Sequence, residues 1–110
     1  MTDYVRITAD LLQFFTWKLQ RLYLQPVCKR FAEEAQAVAG GERNLARLHA
    51  LVGNLEDGTL CPSNTESRVA VGKVKIAITE VDLGNINAAL RQLLEARDCA
   101  MRAHIYKQNI

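Results

Sequence analysis

The sequence predicts an all-α fold, a helical bundle of four to five helices with long N- and C-terminal helices. Strong helix breakers are few, namely Pro26, Gly40-Gly41, the run EDGTLCPSN at 56–64 and DLGN at 82–85, and the segments between them are helix-length. Apolar residues within those segments recur every three or four positions. The 110 residues, 49% hydrophobic and 24% charged, match the composition of a single globular domain spanning residues 1–110.

The first predicted helix runs from about Thr2 to Gln25, with Thr2 as N-cap. Its core face is formed by apolar residues at helical spacing: Ile7, Leu11, Phe14, Phe15 and Leu22. Trp17 and Leu24 instead fall on the opposite, polar stripe, with Lys18 and Arg21 beside Trp17. Trp and Arg are enriched at the energetic centres of protein interfaces. Trp17 is therefore either covered by another helix of the chain or part of a partner-binding surface. The predicted surface consists of Trp17, Lys18, Arg21, Leu24, Lys29 and Arg30.

Pro26 either starts a second helix or kinks a continuing one, and this helix covers residues 26–39. One face carries Val27, Cys28, Phe31, Ala35 and Val38. The other face has two acid–base pairs at i,i+4 spacing, Lys29 with Glu33 and Arg30 with Glu34, which we expect at the surface. Gly40-Gly41 should end the helix in left-handed geometry.

The third predicted helix lies within residues 42–58 and ends between Asn54 and Gly58. Its core positions are Leu45, Leu48, Leu51, Val52 and Leu55. His49 lies on the flank of that stripe, and no Cys, Asp or Glu stands at a spacing that would complete a metal site with it.

The fourth segment carries two conflicting signals. Ser63 followed by Glu66 is a capping box, and Val71, Val74, Ile78 and Val81 form a heptad seam, so the segment is predicted to be a helix. Residues 68–81 are also rich in β-branched side chains, and VKIAI alternates with period two, so this stretch could alternatively be β.

The fifth helix is predicted from Asp82, as N-cap, to about Lys107. Its apolar side contains Leu83, Ile86, Leu90, Leu93, Leu94, Met101 and Ile105. Ala88, Ala89, Ala96, Ala100 and Ala103 supply small residues that permit close helix packing.

Motifs for enzymatic chemistry are absent from the sequence, which contains no Walker loop, GxGxxG, HExxH or GxSxG. Cys28, Cys61 and Cys99 are far apart, without a CxxC pair, so we expect reduced thiols and neither a metal site nor a cofactor. Cys28 and Cys99 fall on predicted helices and should be buried there as small hydrophobes. A catalytic Cys–His pair assembled in space from Cys61 with His49 or His104 is the one enzymatic alternative.

Charge is distributed unevenly along a chain of net charge +2: residues 11–32 carry +4, residues 33–60 carry −3 and residues 83–110 carry +2. Two functions fit this pattern. The first is a non-enzymatic adaptor, regulator or inhibitor that binds a protein partner through the Trp17 surface; the alternative is a homodimer that lays basic helix faces along the phosphates of duplex RNA. Wide apolar faces on long terminal helices predict self-association as a dimer. Without a membrane span or leader sequence, a cytoplasmic location is expected.

Overall fold

The computed structural model describes residues 24–108, in which the chain forms four helices and no strand. Helix α1 covers residues 24–39 of the described range, α2 Ala46–Glu56, α3 Thr65–Asp82 and α4 Ile86–Gln108. The all-α prediction is confirmed, including the long C-terminal helix, and the β alternative for residues 68–81 is wrong. The first predicted helix, about Thr2 to Gln25, lies outside the described residues except for its last two positions.

Helix α1 continues through Pro26, because residues 24 and 25 are already helical. A new helix therefore does not begin at the proline. At the other end Gly41 has φ of +94°, and its N–H donates to the Val38 carbonyl while the Glu42 N–H donates to that of Ala37. This Schellman arrangement satisfies the last carbonyls of the helix, as predicted from the glycine pair.

Helix α2 buries the predicted stripe Leu48, Leu51, Val52 and Leu55, and Leu45 packs partly buried against it. The buried apolar residues of α1 are Val27, Phe31 and Val38, all at most 4% exposed. Cys28 and Ala35, predicted on the same face of α1, are only partly buried.

Helix α3 begins with a capping box one residue later than predicted. Asn64, not Ser63, is the N-cap: its Oδ1 accepts the Ser67 N–H, and the Ser67 Oγ accepts the Asn64 N–H. Glu66, expected in the box, is instead ion-paired with Arg102 of α4 at 3.2 Å. The Asn64 amide also donates to the carbonyl of Ala103 at 3.0 Å, so the cap fixes the start of α3 to the end of α4.

Helices α3 and α4 form an antiparallel hairpin. Gly84, with φ of +83°, ends α3: its N–H donates to Val81 and the Asn85 N–H donates to Glu80. Asp82 is thus the last residue of α3, and the prediction that it is the N-cap of the last helix is wrong. Leu83 follows the helix end and is 66% exposed, so its predicted place in the core is wrong.

The seam between α3 and α4 is built mainly from small residues, each at most 2% exposed: Ser67, Ala70, Val74, Ala77 and Val81 on α3, and Ala89, Leu93, Ala96, Ala100 and Ala103 on α4. Lys73 pairs with Glu95 at 2.9 Å, which together with Glu66–Arg102 fixes the register. Because most residues of this seam are small, the two helices can pack closely.

This seam differs from the predicted one. Of the predicted α3 positions, Val74 and Val81 belong to it, whereas Val71 and Ile78 lie on its flank and are partly buried. On α4, Leu93 is in the core but Leu94 is 50% exposed, contrary to prediction. Adjacent helical residues point about 100° apart, so a core centred on the alanines leaves Leu94 at the surface.

No helix within residues 24–108 is both long enough and apolar enough to cross a membrane.

Candidate functional site

The predicted partner-binding surface falls partly within the described residues. Trp17, Lys18 and Arg21 lie outside them. Leu24, Lys29 and Arg30 are on α1, but on three different sides of it. Leu24 is partly buried and precedes Cys28 by four residues and Phe31 by seven, so it shares their side of the helix. Lys29 is exposed, and Arg30 lies on the side that faces α2.

Arg30 belongs to an ion-pair cluster inside the chain. Its Nε lies 3.3 Å from Glu34 Oε1, and its Nη1 donates to the Asn54 side chain at 2.9 Å. Arg47 binds both carboxylate oxygens of Glu34, each at 3.2 Å. The pKa of Arg47 is raised by this hydrogen bond and by the charge of the carboxylate.

Glu34 itself is only 2% exposed. The Arg30–Glu34 pair was expected at the surface, but its carboxylate is buried and joins α1 to α2. Sequence spacing revealed the Arg30–Glu34 pair. It could not reveal Arg47, thirteen residues further along, because that contact depends on how α2 packs.

An open apolar groove of about 210 Å³ lies between α1 and α4. Its lining comes from two helices: Cys28, Phe31, Ala32 and Ala35 of α1, and Leu90, Leu93, Leu94 and Arg97 of α4. The Cys28 thiol lies 3.8 Å from the sulfur of Met101, which brings the two helices together at one side of the groove. Leu94, half exposed, is its most accessible large side chain.

Basic residues border this groove. Exposed Lys29 precedes the lining residue Ala32 by one turn of α1, and exposed Arg91 precedes Leu94 by one turn of α4. Arg97, within the lining, is paired with its neighbour Asp98 at 3.0 Å. The groove therefore offers an apolar floor with cations on both bordering helices. The sequence pattern does not reveal it, because Leu94 falls on the predicted apolar side of the last helix.

The cysteines give no sign of an activated thiol in the described part of the chain. All three are free, and Cys61 and Cys99 are buried. Burial raises the pKa of the Cys61 thiol to about 11. A nucleophilic cysteine needs the opposite shift. His49 is exposed on α2, and the Nε2 of His104 lies 3.1 Å from the carbonyl of Leu60, next to Cys61.

The partial exposure of Cys28 and the raised pKa of the buried Cys61 thiol predict the order in which these cysteines are modified. In the folded protein at pH 8 we expect the partly exposed Cys28 to react first with iodoacetamide, and Cys61 at least about a hundredfold more slowly, because only about one in a thousand of its thiols is ionised. Mass spectrometry of peptides alkylated over time measures this. Rapid labelling of Cys61 would contradict the buried, protonated state, and complete labelling in denaturant is the control.

Among residues 24–108, no group of three or more His, Cys, Asp or Glu side chains is placed to hold a metal ion. The chain matches no family model, no curated protein and no solved structure.

Proposed function

We propose that this protein is a non-enzymatic interaction module, of adaptor, regulator or inhibitor type, which acts in the cytoplasm and binds a partner protein. The binding surface comprises the groove between α1 and α4, together with Leu24 and the residues Trp17, Lys18 and Arg21 that precede it. The observation that carries this proposal is the groove itself, an open apolar surface of about 210 Å³ with Leu94 half exposed at its edge.

The lining of the groove specifies the kind of partner it suits. Seven of its eight lining residues are apolar or cysteine, and the eighth is Arg97. With Lys29 and Arg91 on the bordering helices, the complementary ligand is a segment that presents one or two large apolar side chains flanked by acids. An amphipathic helix of a partner protein has this pattern. Leu24 extends the same side of α1 by one turn beyond Cys28, towards Trp17 in the sequence.

Leu94→Asp tests the groove. Because Leu94 is half exposed, the change should leave thermal stability nearly unaltered, yet it should weaken partner binding by about 2 kcal/mol or more, roughly thirtyfold, the effect of a lost interface centre. The measurement is capture of partners by the tagged chain from its native host, followed by titration of the partner identified. Tyr106→Ser, which removes an equally exposed apolar residue away from the groove, is the matched control. Unchanged binding by Leu94→Asp would exclude the groove.

Trp17→Ala and Arg21→Glu test the part of the proposed surface that precedes Leu24 in the sequence. Trp17→Ala should weaken binding by about 2 kcal/mol or more while the protein stays folded; a loss of roughly 3–5 kcal/mol of stability would instead identify Trp17 as a core residue. Arg21→Glu should leave folding intact and weaken the binding of an acidic partner. Capture that is lost after nuclease treatment, and that falls steeply with salt, would support the RNA-binding homodimer in place of the protein partner.

A further inference from the structure

The outer face of α3, turned away from the seam with α4, is exposed and carries no charge. Six residues form it, spaced by alternating steps of four and three and all exposed: Thr65, Val69, Gly72, Ile76, Thr79 and Leu83. Val69 is 44% exposed, Ile76 46% and Leu83 66%. Single exposed apolar residues are ordinary on protein surfaces, but a heptad-spaced row of them along one helix is the pattern of a helix–helix seam.

The charged residues of α3 lie on both flanks of this outer face. Glu66, Lys73 and Glu80 follow one edge, and Arg68, Lys75 and Asp82 follow the other. These are the e and g positions that border the apolar seam of a coiled coil. An ordinary solvated helix face would carry such charges at its centre.

Gly72 is compatible with a helix–helix seam along this face. It lies in the middle of α3, where glycine costs about 1 kcal/mol relative to alanine. A Cβ at this position would meet open space, and no positive φ requires glycine. Nothing within the described part of the chain therefore explains it. A glycine on a helix surface does permit the close approach of another backbone.

Large and small residues alternate along the outer face. Val69, Ile76 and Leu83 are large, whereas Thr65, Gly72 and Thr79 are small. In an antiparallel pair the two kinds of position lie opposite each other, so each large residue would face a small one. The seam between α3 and α4 likewise combines larger residues, such as Val74 and Leu93, with alanines. The Thr79 hydroxyl already donates to the Lys75 carbonyl, which lowers the cost of burying it.

We propose that the outer face of α3 is a homodimer interface, in which α3 packs antiparallel against α3 of a second copy. Ile76 of each chain packs over Gly72 of the other, Val69 over Thr79 and Leu83 over Thr65. This interface is separate from the groove between α1 and α4, so the dimer does not depend on the proposed function.

The charges on the flanks favour this arrangement at some positions and oppose it at others. Along one edge Arg68 comes beside Asp82 of the second copy at both ends of the interface, whereas Lys75 meets its own copy near the two-fold axis. Along the other edge Lys73 meets its own copy and Glu66 comes beside Glu80, but Glu66 and Lys73 are already paired with residues of α4. The 18 residues of α3 give a contact about 27 Å long with like charges on both edges, so we expect a weak dimer with Kd of roughly 10 μM.

Gly72→Leu is the sharpest test. Leucine adds apolar surface at an open position, so greater hydrophobicity alone would strengthen association. In the proposed interface it blocks the site of Ile76, and we expect Kd to rise at least about tenfold. Gly53→Leu is the matched control, because Gly53 is a second helical glycine with open space around it, and it should leave Kd unchanged. Sedimentation equilibrium of the full chain measures both.

Ile76→Asp should also abolish dimerisation, while Leu94→Asp in the other surface should not. Circular dichroism confirms that each variant is folded. The proposal is overturned if the wild-type chain stays monomeric up to roughly 1 mM, or if it dimerises but Gly72→Leu and Ile76→Asp both keep the wild-type Kd.

Orientation is tested by cysteine pairs in a Cys28→Ser background. Oxidation of a mixture of Val69→Cys and Thr79→Cys chains should give a mixed disulfide dimer, because these positions are opposite each other in the antiparallel pair. Val69→Cys alone should cross-link at least about tenfold less. Efficient cross-linking of Val69→Cys with itself would indicate a parallel pair and overturn the antiparallel interface.

Discussion

Leu93→Ala should lower the free energy of unfolding by about 2–5 kcal/mol. Leu93 is 1% exposed and is the largest fully buried side chain of α4. Most of the other buried residues that α4 contributes to the seam are alanines, which cannot fill the space that the lost side chain leaves. The change therefore removes buried apolar contact and creates a cavity between two helices held by cap and ion pairs.

Leu94→Ala is the internal control for this experiment. It is the same substitution one residue later, at a side chain that is half exposed. Its cost should stay below about 1 kcal/mol, since little area is removed from contact. Urea titrations of both variants measure the difference. Equal losses for the two leucines would mean that the core of α4 is not centred on the alanine seam.

The fold could be predicted from the sequence because its main signals are local. Gly41 and Gly84 both end helices with positive φ, and the leucines of α2 fall on one buried stripe as their spacing predicts. The N-cap of α3 is Asn64, one residue after the predicted Ser63. Serine and asparagine both cap helices well, and the asparagine is favoured here by a tertiary contact, the hydrogen bond from its side-chain amide to the Ala103 carbonyl.

The packing faces were harder to predict, because large side chains dominate a hydrophobic pattern. Val71 and Ile78 suggested the seam of α3, yet α4 packs on Ala70 and Ala77, which allow the closest approach. Leu94 falls on the predicted apolar side of its helix because it is large and apolar. It is exposed at the edge of the candidate groove because α4 turns its alanines towards α3, and no local feature of the sequence indicates this.

Glu34 is a buried carboxylate between α1 and α2 that is paired with two arginines. Replacing both of its cationic partners, in the double variant Arg30→Met, Arg47→Met, should cost roughly 3–5 kcal/mol of stability, because Glu34 would remain buried with its charge uncompensated. Each single variant should cost less than the double variant, since one arginine still pairs with the carboxylate. Arg43→Met, at an exposed arginine between the two helices, should have almost no effect.

Glu34→Gln, added to the double variant, separates charge from packing. An amide of nearly the same shape removes the unpaired charge, so the triple variant should recover most of the lost stability even though it has fewer polar contacts than the wild type. Chemical denaturation of the full series gives these free energies. If the triple variant is no more stable than the double, the arginines contribute through their aliphatic packing between α1 and α2 and not through the buried charge. Recovery would establish that Arg30 acts as a partner of Glu34 within the fold, and the basic contacts of the groove with a partner protein would then come from Lys29, Arg91 and Arg97.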